Sequence, residues 1–194
     1  MPINKMKVLL IDNNTQHLDS LSKALAGHDI ETQKYRPTLD FHAEGKDLVV
    51  LSGGGGEGLE IHDAYKKGKL WYDSEMRFVR DCKLPVIGIC MGFEVIARLF
   101  GSDIKQTPQL VEGFKNINTT VPGKKRLSKD MLNQFESHNW CVPTVDGRQF
   151  EVLASSSTGI EMIKHKSRRL LATQFHPEKE GGSLKLADLM PLVN

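Results

Sequence analysis

Three short stretches carry the side chains needed for acyl transfer through a thiol. In Gly88-Ile89-Cys90-Met91-Gly92 a cysteine sits between glycines, directly after an apolar run and ahead of a helix-forming stretch. A strand that turns into a helix at once holds its nucleophile in a strained conformation at the end of a sheet. Flanking glycines let neighbouring backbone pass without Cβ clashes. A helix N-terminus also aims free N–H groups and partial positive charge at the sulfur, which favours thiolate. The N–H of Met91 is placed to donate to an oxyanion. Read alone, the same pattern also describes a tight packing corner around an inert thiol.

A thiol nucleophile needs a base, and the base needs a group that fixes its tautomer and orientation. Gln174-Phe175-His176-Pro177-Glu178 supplies both: His176 follows an apolar run, and Glu178 lies two residues on. Pro177 fixes its own φ and restricts its neighbour. The third stretch is Ser52-Gly53-Gly54-Gly55-Gly56, after the run Asp47–Leu51. Its backbone N–H groups can approach a ligand closely, as an oxyanion hole shared with Met91 or as a phosphate cradle. The Gly-Lys-Ser/Thr ending of a P-loop is absent, and a plain surface loop is the third reading. Among the other histidines, His17, His28, His42 and His62 lie in polar, surface-like contexts. His165, between Lys164 and Lys166, reads as solvated. His138, in Glu136-Ser137-His138-Asn139, can line a site or face a partner.

The elements that must position these groups follow from hydrophobic patterning. Residues 7–11, 47–51 and 85–89 are continuous apolar runs, as in strands buried on both faces, and 30–35 alternates as a further strand. A helix capped by Asn13, Asn14 or Thr15 carries Leu18, Leu21, Leu25 and Ala26, with Gly27 as its stop. Helices are expected over 71–82, through Trp71, Met76, Phe78 and Val79, and over 92–100. In the second half, 113–120, 134–142, 150–156, 160–165 and 170–175 read as short strands, and 183–190 as a closing helix. The order indicates an α/β protein: an open, largely parallel sheet with flanking helices and antiparallel additions in the second half. With 194 residues and neither repeat nor linker, residues 1–194 read as a single domain.

Composition excludes several classes. Apolar residues make up 39 % and charged residues 26 %, values typical of globular chains. A net charge of +2 gives no argument for nucleic acid, and Lys124-Lys125-Arg126 reads as a solvated Pro/Gly turn. No apolar run reaches the length of a membrane span. Three cysteines without metal-ligand spacing suit a reducing cytoplasm, with neither disulfides nor a zinc site.

Together, LSGGGG at 51–56, GICMG at 88–92 and TQFHPE at 173–178 resemble the class I (triad) glutamine amidotransferase family, in its own order and across nearly the whole chain. The resemblance implies a flavodoxin-like open sheet with the active site at the strand ends. It implies Cys90 as nucleophile, His176 as proton shuttle and Glu178 as its orienting carboxylate. Gly54 and Met91 would form the oxyanion hole, and Gly53, Gly55 and residue 94 would lie in the glutamine site. The products would be glutamate and ammonia, with no cofactor in this chain. The ammonia would pass to a separate synthase subunit. The C-terminal third, with SHNW at 137–140, is most similar to the glutaminase subunits of two-subunit GMP synthases. That similarity implies an ATP-pyrophosphatase-type partner using ATP and Mg. PQLVEG at 108–113 looks more like the anthranilate and aminodeoxychorismate synthase glutaminases, and Trp140 replaces an acidic residue common in the GMP synthase subunits.

One position departs from the family's Cys-x-Gly-x-Gln: residue 94 is a glutamate. An ionised carboxylate cannot donate a hydrogen bond and raises the pKa of a nearby thiol, although it can grip an α-ammonium. Three readings follow: a glutaminase with an altered substrate grip, a γ-glutamyl hydrolase-like enzyme that passes no ammonia on, and a non-catalytic or partner-gated subunit.

Overall fold

A computed structural model describes residues 5–36, 39–54 and 72–193. Gly55, Gly56, His62 and Trp71 lie outside the described residues. The first half alternates strands and helices: β1 (Lys7–Asp12), α1 (Leu18–Ala24), β2 (Asp29–Lys34), β3 (Leu48–Leu51), α2 (Asp73–Asp81), β4 (Val86–Ile89) and α3 (Met91–Leu99). The second half adds β5 (Lys105–Thr119), α4 (Val121–Leu127), β6 (Met131–Cys141), β7 (Phe150–Ser155), β8 (Ile160–His165), β9 (Leu170–Thr173) and α5 (Leu186–Val193). Among the described residues the strands form one sheet in the order β2-β1-β3-β4-β9-β8-β7-β5-β6. The pairs β1/β2, β1/β3, β3/β4 and β4/β9 are parallel. All pairs from β9 outward are antiparallel. The α/β class and the antiparallel additions are as expected from the sequence.

Alternate residues of the parallel strands feed two cores, one on each face. Leu9, Ile11, Val49, Leu51 and Val86 pack with Val79 of α2 and with Val95 and Ile96 of α3. Val8, Leu10, Leu48, Val50 and Ile87 pack with Leu21 of α1 and with Leu186 and Leu189 of α5. Burial on both faces is why these strands read as unbroken apolar runs. The antiparallel strands instead curl. The far strand β6 returns to the chain that follows β9: His176 N–H donates to Phe135 O at 2.8 Å, and Ser183 N–H to Asn133 O at 2.8 Å.

Several local expectations are corrected. The N-cap of α1 is His17, not Asn13, Asn14 or Thr15. Asn13 is committed elsewhere: its N–H donates to Ser52 Oγ (2.8 Å) and its side-chain amide to Glu75 Oε1 (3.0 Å). Lys124-Lys125-Arg126 lies in α4, not in a turn. There Pro122 stands in the first turn, where its missing N–H costs little, and Thr120 Oγ1 caps Gly123 N–H at 3.2 Å. The strand expected from residue 113 starts at Lys105, because a register shift between Gln106 and Val111 absorbs Pro108. The closing helix starts at Leu186 because Ser183 is held by β6, its Oγ accepting from Asn133 N–H at 2.8 Å. His165 is also not solvated. It is buried against Phe100 and Phe150, with its Nδ1 accepting from Ser167 and Arg168 N–H.

Candidate active site

Cys90 stands between β4 and α3 with φ 51° and ψ −103°, a conformation an L-residue adopts only under strain. The surroundings enforce it. Cys90 N–H is tied to Thr173 O on β9 (2.8 Å), and Gly92 N–H to Ser52 O at the end of β3 (3.2 Å). A Cβ at Gly92 would lie 2.6 Å from Leu51 Cβ and 2.7 Å from Leu51 O, so only glycine lets α3 start this close to β3. The elbow expected from the glycine pattern is therefore present. Met91 N–H opens α3, where no intrahelical acceptor exists, and it interacts with the Cys90 sulfur. Gly54 lies beside it: a Cβ there would sit 2.6 Å from Met91 Sδ.

His176 and Glu178 meet across Pro177. The His176 Nδ1–Glu178 Oε1 distance is 2.7 Å, with both side chains at 0–1 % exposure. A neutral ring that donates Nδ1–H to this carboxylate carries its lone pair on Nε2. That Nε2 is buried and has no hydrogen-bond partner among the described residues. Gly53 lies between His176 and Cys90. A Cβ there would be 3.1 Å from His176 Cε1 and 3.5 Å from Cys90 Cβ. Three distant segments thus converge at the C-terminal ends of β3, β4 and β9, where open α/β sheets place their sites.

The electrostatics differ from the sequence expectation. The helix N-terminus does not make Cys90 a standing thiolate. Burial pushes its pKa well above the ordinary thiol value, and the nearby Glu94 and Glu178 carboxylates push the same way. The Met91 N–H and Gln174 oppose them only in part. The resting form of Cys90 is therefore the thiol. Glu94, on the first turn of α3, is 2 % exposed. Burial lifts its pKa to about 7, against the opposing donor Gln174 and the charge of His138. Gln174 Nε2 donates to Glu94 Oε1 at 3.1 Å and lies 3.9 Å from Cys90 Sγ. Glu94 Oε2 has no partner among the described residues.

The structure brings Cys90, Met91, Glu94, Gly53, Gly54, His176 and Glu178 together; Gly55 lies outside the described residues. His138 does not face outward. Its side chain is 2 % exposed and bonded to Trp140 O and Glu136. Two neighbours escaped the sequence reading. His17 packs edge-on against His176 with ring centroids 4.8 Å apart. Burial first, then the charges of His176 and Lys179, lower its pKa to about 4. Gln174 bridges Cys90 and Glu94. It sits in the same peptide as His176, and its polarity beside a buried strand end was the available signal.

The family model "Glutamine amidotransferase class-I" matches residues 9–187. The glutamine-hydrolyzing GMP synthase subunit of Methanosphaera stadtmanae is 28 % identical over 181 residues, which cover 89 % of this chain and 89 % of that protein. The glutamine-hydrolyzing GMP synthase of Ehrlichia ruminantium is 28 % identical over 180 residues, 89 % of this chain but 33 % of that protein. Among solved structures, a Thermoplasma acidophilum protein assigned as one subunit of a GMP synthase superposes with a TM-score of 0.78 at 25 % identity, covering 93 % of this chain and 88 % of that one.

Proposed function

The chain belongs to the class I glutamine amidotransferase family, and we propose that it hydrolyses the side-chain amide of glutamine through a Cys90 thioester and delivers the ammonia to a separate synthase subunit, acting as the glutaminase of a two-subunit GMP synthase. The observation that carries the chemistry is the oriented His176–Glu178 pair, with its unpartnered Nε2 one glycine away from Cys90. In the first step Sγ attacks the amide carbon while His176 Nε2 takes the thiol proton. The N–H groups of Gly54 and Met91 receive the developing oxyanion; losing one such donor costs about 3 kcal/mol of barrier. His176 then returns the proton to the leaving nitrogen, and ammonia departs. In the second step His176 deprotonates a water that opens the γ-glutamyl thioester, releasing glutamate and restoring the thiol.

Glu94 fits this scheme in its acid form. A protonated carboxyl offers one O–H donor and one carbonyl acceptor, as an amide offers N–H and C=O. Its pKa of about 7 keeps that form populated near neutrality. Residue 94 then grips glutamine much as the family's amide does, and it adds no charge beside the sulfur.

The synthase partner is inferred from similarity. The chain matches the Methanosphaera GMP synthase subunit over nearly its whole length, and the Ehrlichia GMP synthase over one third of its length. The partner would be an ATP-pyrophosphatase-type subunit that uses ATP and Mg.

The test is covalent labelling by a diazoketone glutamine analogue, read by intact mass beside Cys90→Ala and His176→Ala. One adduct on Cys90, blocked by excess glutamine, is the expected result. No adduct, while a small alkylating agent still modifies Cys90, overturns the glutamine assignment.

A further inference from the structure

We propose that Glu136, His138 and Glu161 form a binding site for one divalent transition-metal ion, zinc being the ion best suited to the donor set. One ligand atom from each residue lies within 4.8 Å of the others, and all three residues are buried. Carboxylate oxygen and imidazole nitrogen are ordinary zinc ligands. Glu136 and His138 stand two apart on β6 and so share its inward face. Glu161 comes from β8, three strands away in the sheet order, and the curl of the antiparallel half closes the distance.

The hydrogen bonds around the three residues leave a gap that a cation fills. The Trp140 carbonyl can only accept, so His138 Nδ1, 2.7 Å away, carries the hydrogen. This is the outer bond that usually orients a metal-ligating histidine. In the neutral ring Nε2 then bears a lone pair, and it faces Glu136 Oε2 at 3.0 Å, acceptor to acceptor. Something positive must lie between them. A proton would settle that one contact and nothing more. Glu136 Oε1 and Glu161 Oε2 would stay without hydrogen-bond partners among the described residues, although both residues are 1 % exposed. Glu161 is braced from outside the cluster, its Oε1 accepting from Ser156 Oγ (2.6 Å) and Thr158 Oγ1 (3.0 Å). A single divalent ion matches two carboxylates and a neutral imidazole in charge, and it gives the orphaned oxygens a partner. Buried acceptors left unpaired are otherwise costly.

The site is distinct from the catalytic line but touches it. Ser137 stands between two of the ligands, and its carbonyl is 3.8 Å from Cys90 Sγ. An ion held by Glu136 and His138 pins the strand that walls the nucleophile.

The experiment uses the untagged protein, stripped with a chelator, titrated with zinc and desalted. Bound metal is counted by mass spectrometry and affinity read by calorimetry. One zinc per chain is expected, with affinity reduced at least about 10-fold in His138→Ala and in Glu161→Gln and unchanged in Cys141→Ser. Where a variant does not fold, cobalt(II) added to the unaltered protein reads the ligands directly. Visible d–d bands without a thiolate charge-transfer band are expected. No stoichiometric zinc, or a cobalt spectrum dominated by thiolate, overturns the proposal and leaves a cluster that shares protons only.

Discussion

In the parallel half, β1, β3, β4 and β9 bury VLLID, LVVL, VIGI and LLAT without a break, and reactive groups stand only at or just beyond their C-terminal ends. In the antiparallel half, β6 and β8 turn Gln134, Glu136, His138 and Glu161 inward alongside Leu132, Met162 and Ile163. The parallel strands are covered by helices on both faces, so buried polar groups such as Asn13, Ser52 and Glu75 stand past the strand ends or in the helices and pair there. The curled strands enclose one another, so a polar group from one can meet a polar group from the next. One half is therefore a rigid platform for Cys90 and His176. The other supplies a wall whose polar interior can be tuned.

Loss of the Cys90 thiol at the platform's rim should have the largest effect. Cys90→Ala is expected to lower glutamine turnover by about 10⁴-fold or more, while the melting temperature hardly moves. A comparable loss of stability would show that the thiol serves packing instead.

Next in size is the platform itself. Gly92→Ala puts a Cβ 2.6 Å from Leu51 Cβ, and denaturant unfolding should register a loss of about 1–3 kcal/mol. An unchanged midpoint would mean that the elbow gives way easily and that the strain at Cys90 is not imposed by α3 and β3.

The pH dependence of Glu94 probes the place where the two halves meet, because Gln174 and His138 bear on it and it bears in turn on Cys90 and Cys141. Its folded pKa is raised to about 7, so the acid form dominates below that value and is lost above it. Glutamine kcat/KM should then fall on the alkaline side by up to about tenfold per pH unit. Glu94→Gln should remove that limb. A limb that persists in Glu94→Gln belongs to another group.

The last test lies within the platform, at Glu75, which is fully buried with Asn13 as its donor. Burial raises its pKa to about 8, and the Asn13 hydrogen bond offsets this only in part. The folded chain thus binds a proton that the unfolded chain releases near the ordinary carboxyl value of 4.5. Stability from this group is fully present at low pH and is lost as pH rises through that window. Glu75→Gln should narrow the difference in melting temperature between about pH 5 and about pH 8. An equal difference in both proteins would assign it elsewhere.

Legibility divides along the same line as the two halves. The apolar runs of β1, β3 and β4, the elbow at Cys90, the His176-Pro177-Glu178 peptide and the antiparallel strands were all readable, because each is a local pattern set by spacing within a few residues. Asn13 misled as a helix cap because its real partners are 39 and 62 residues away. His165 misled because flanking lysines say nothing about Phe100 and Phe150 across the fold. By itself the sequence determined the elbow at Cys90, the pairing of His176 with Glu178 and the order of the elements, since these depend on period, glycine and proline. The tertiary structure alone decided that His17 lies against His176, that His138 points inward and that Glu161 meets Glu136. A strand's period tells which residues share a face, but only the curl of the sheet decides what that face encloses.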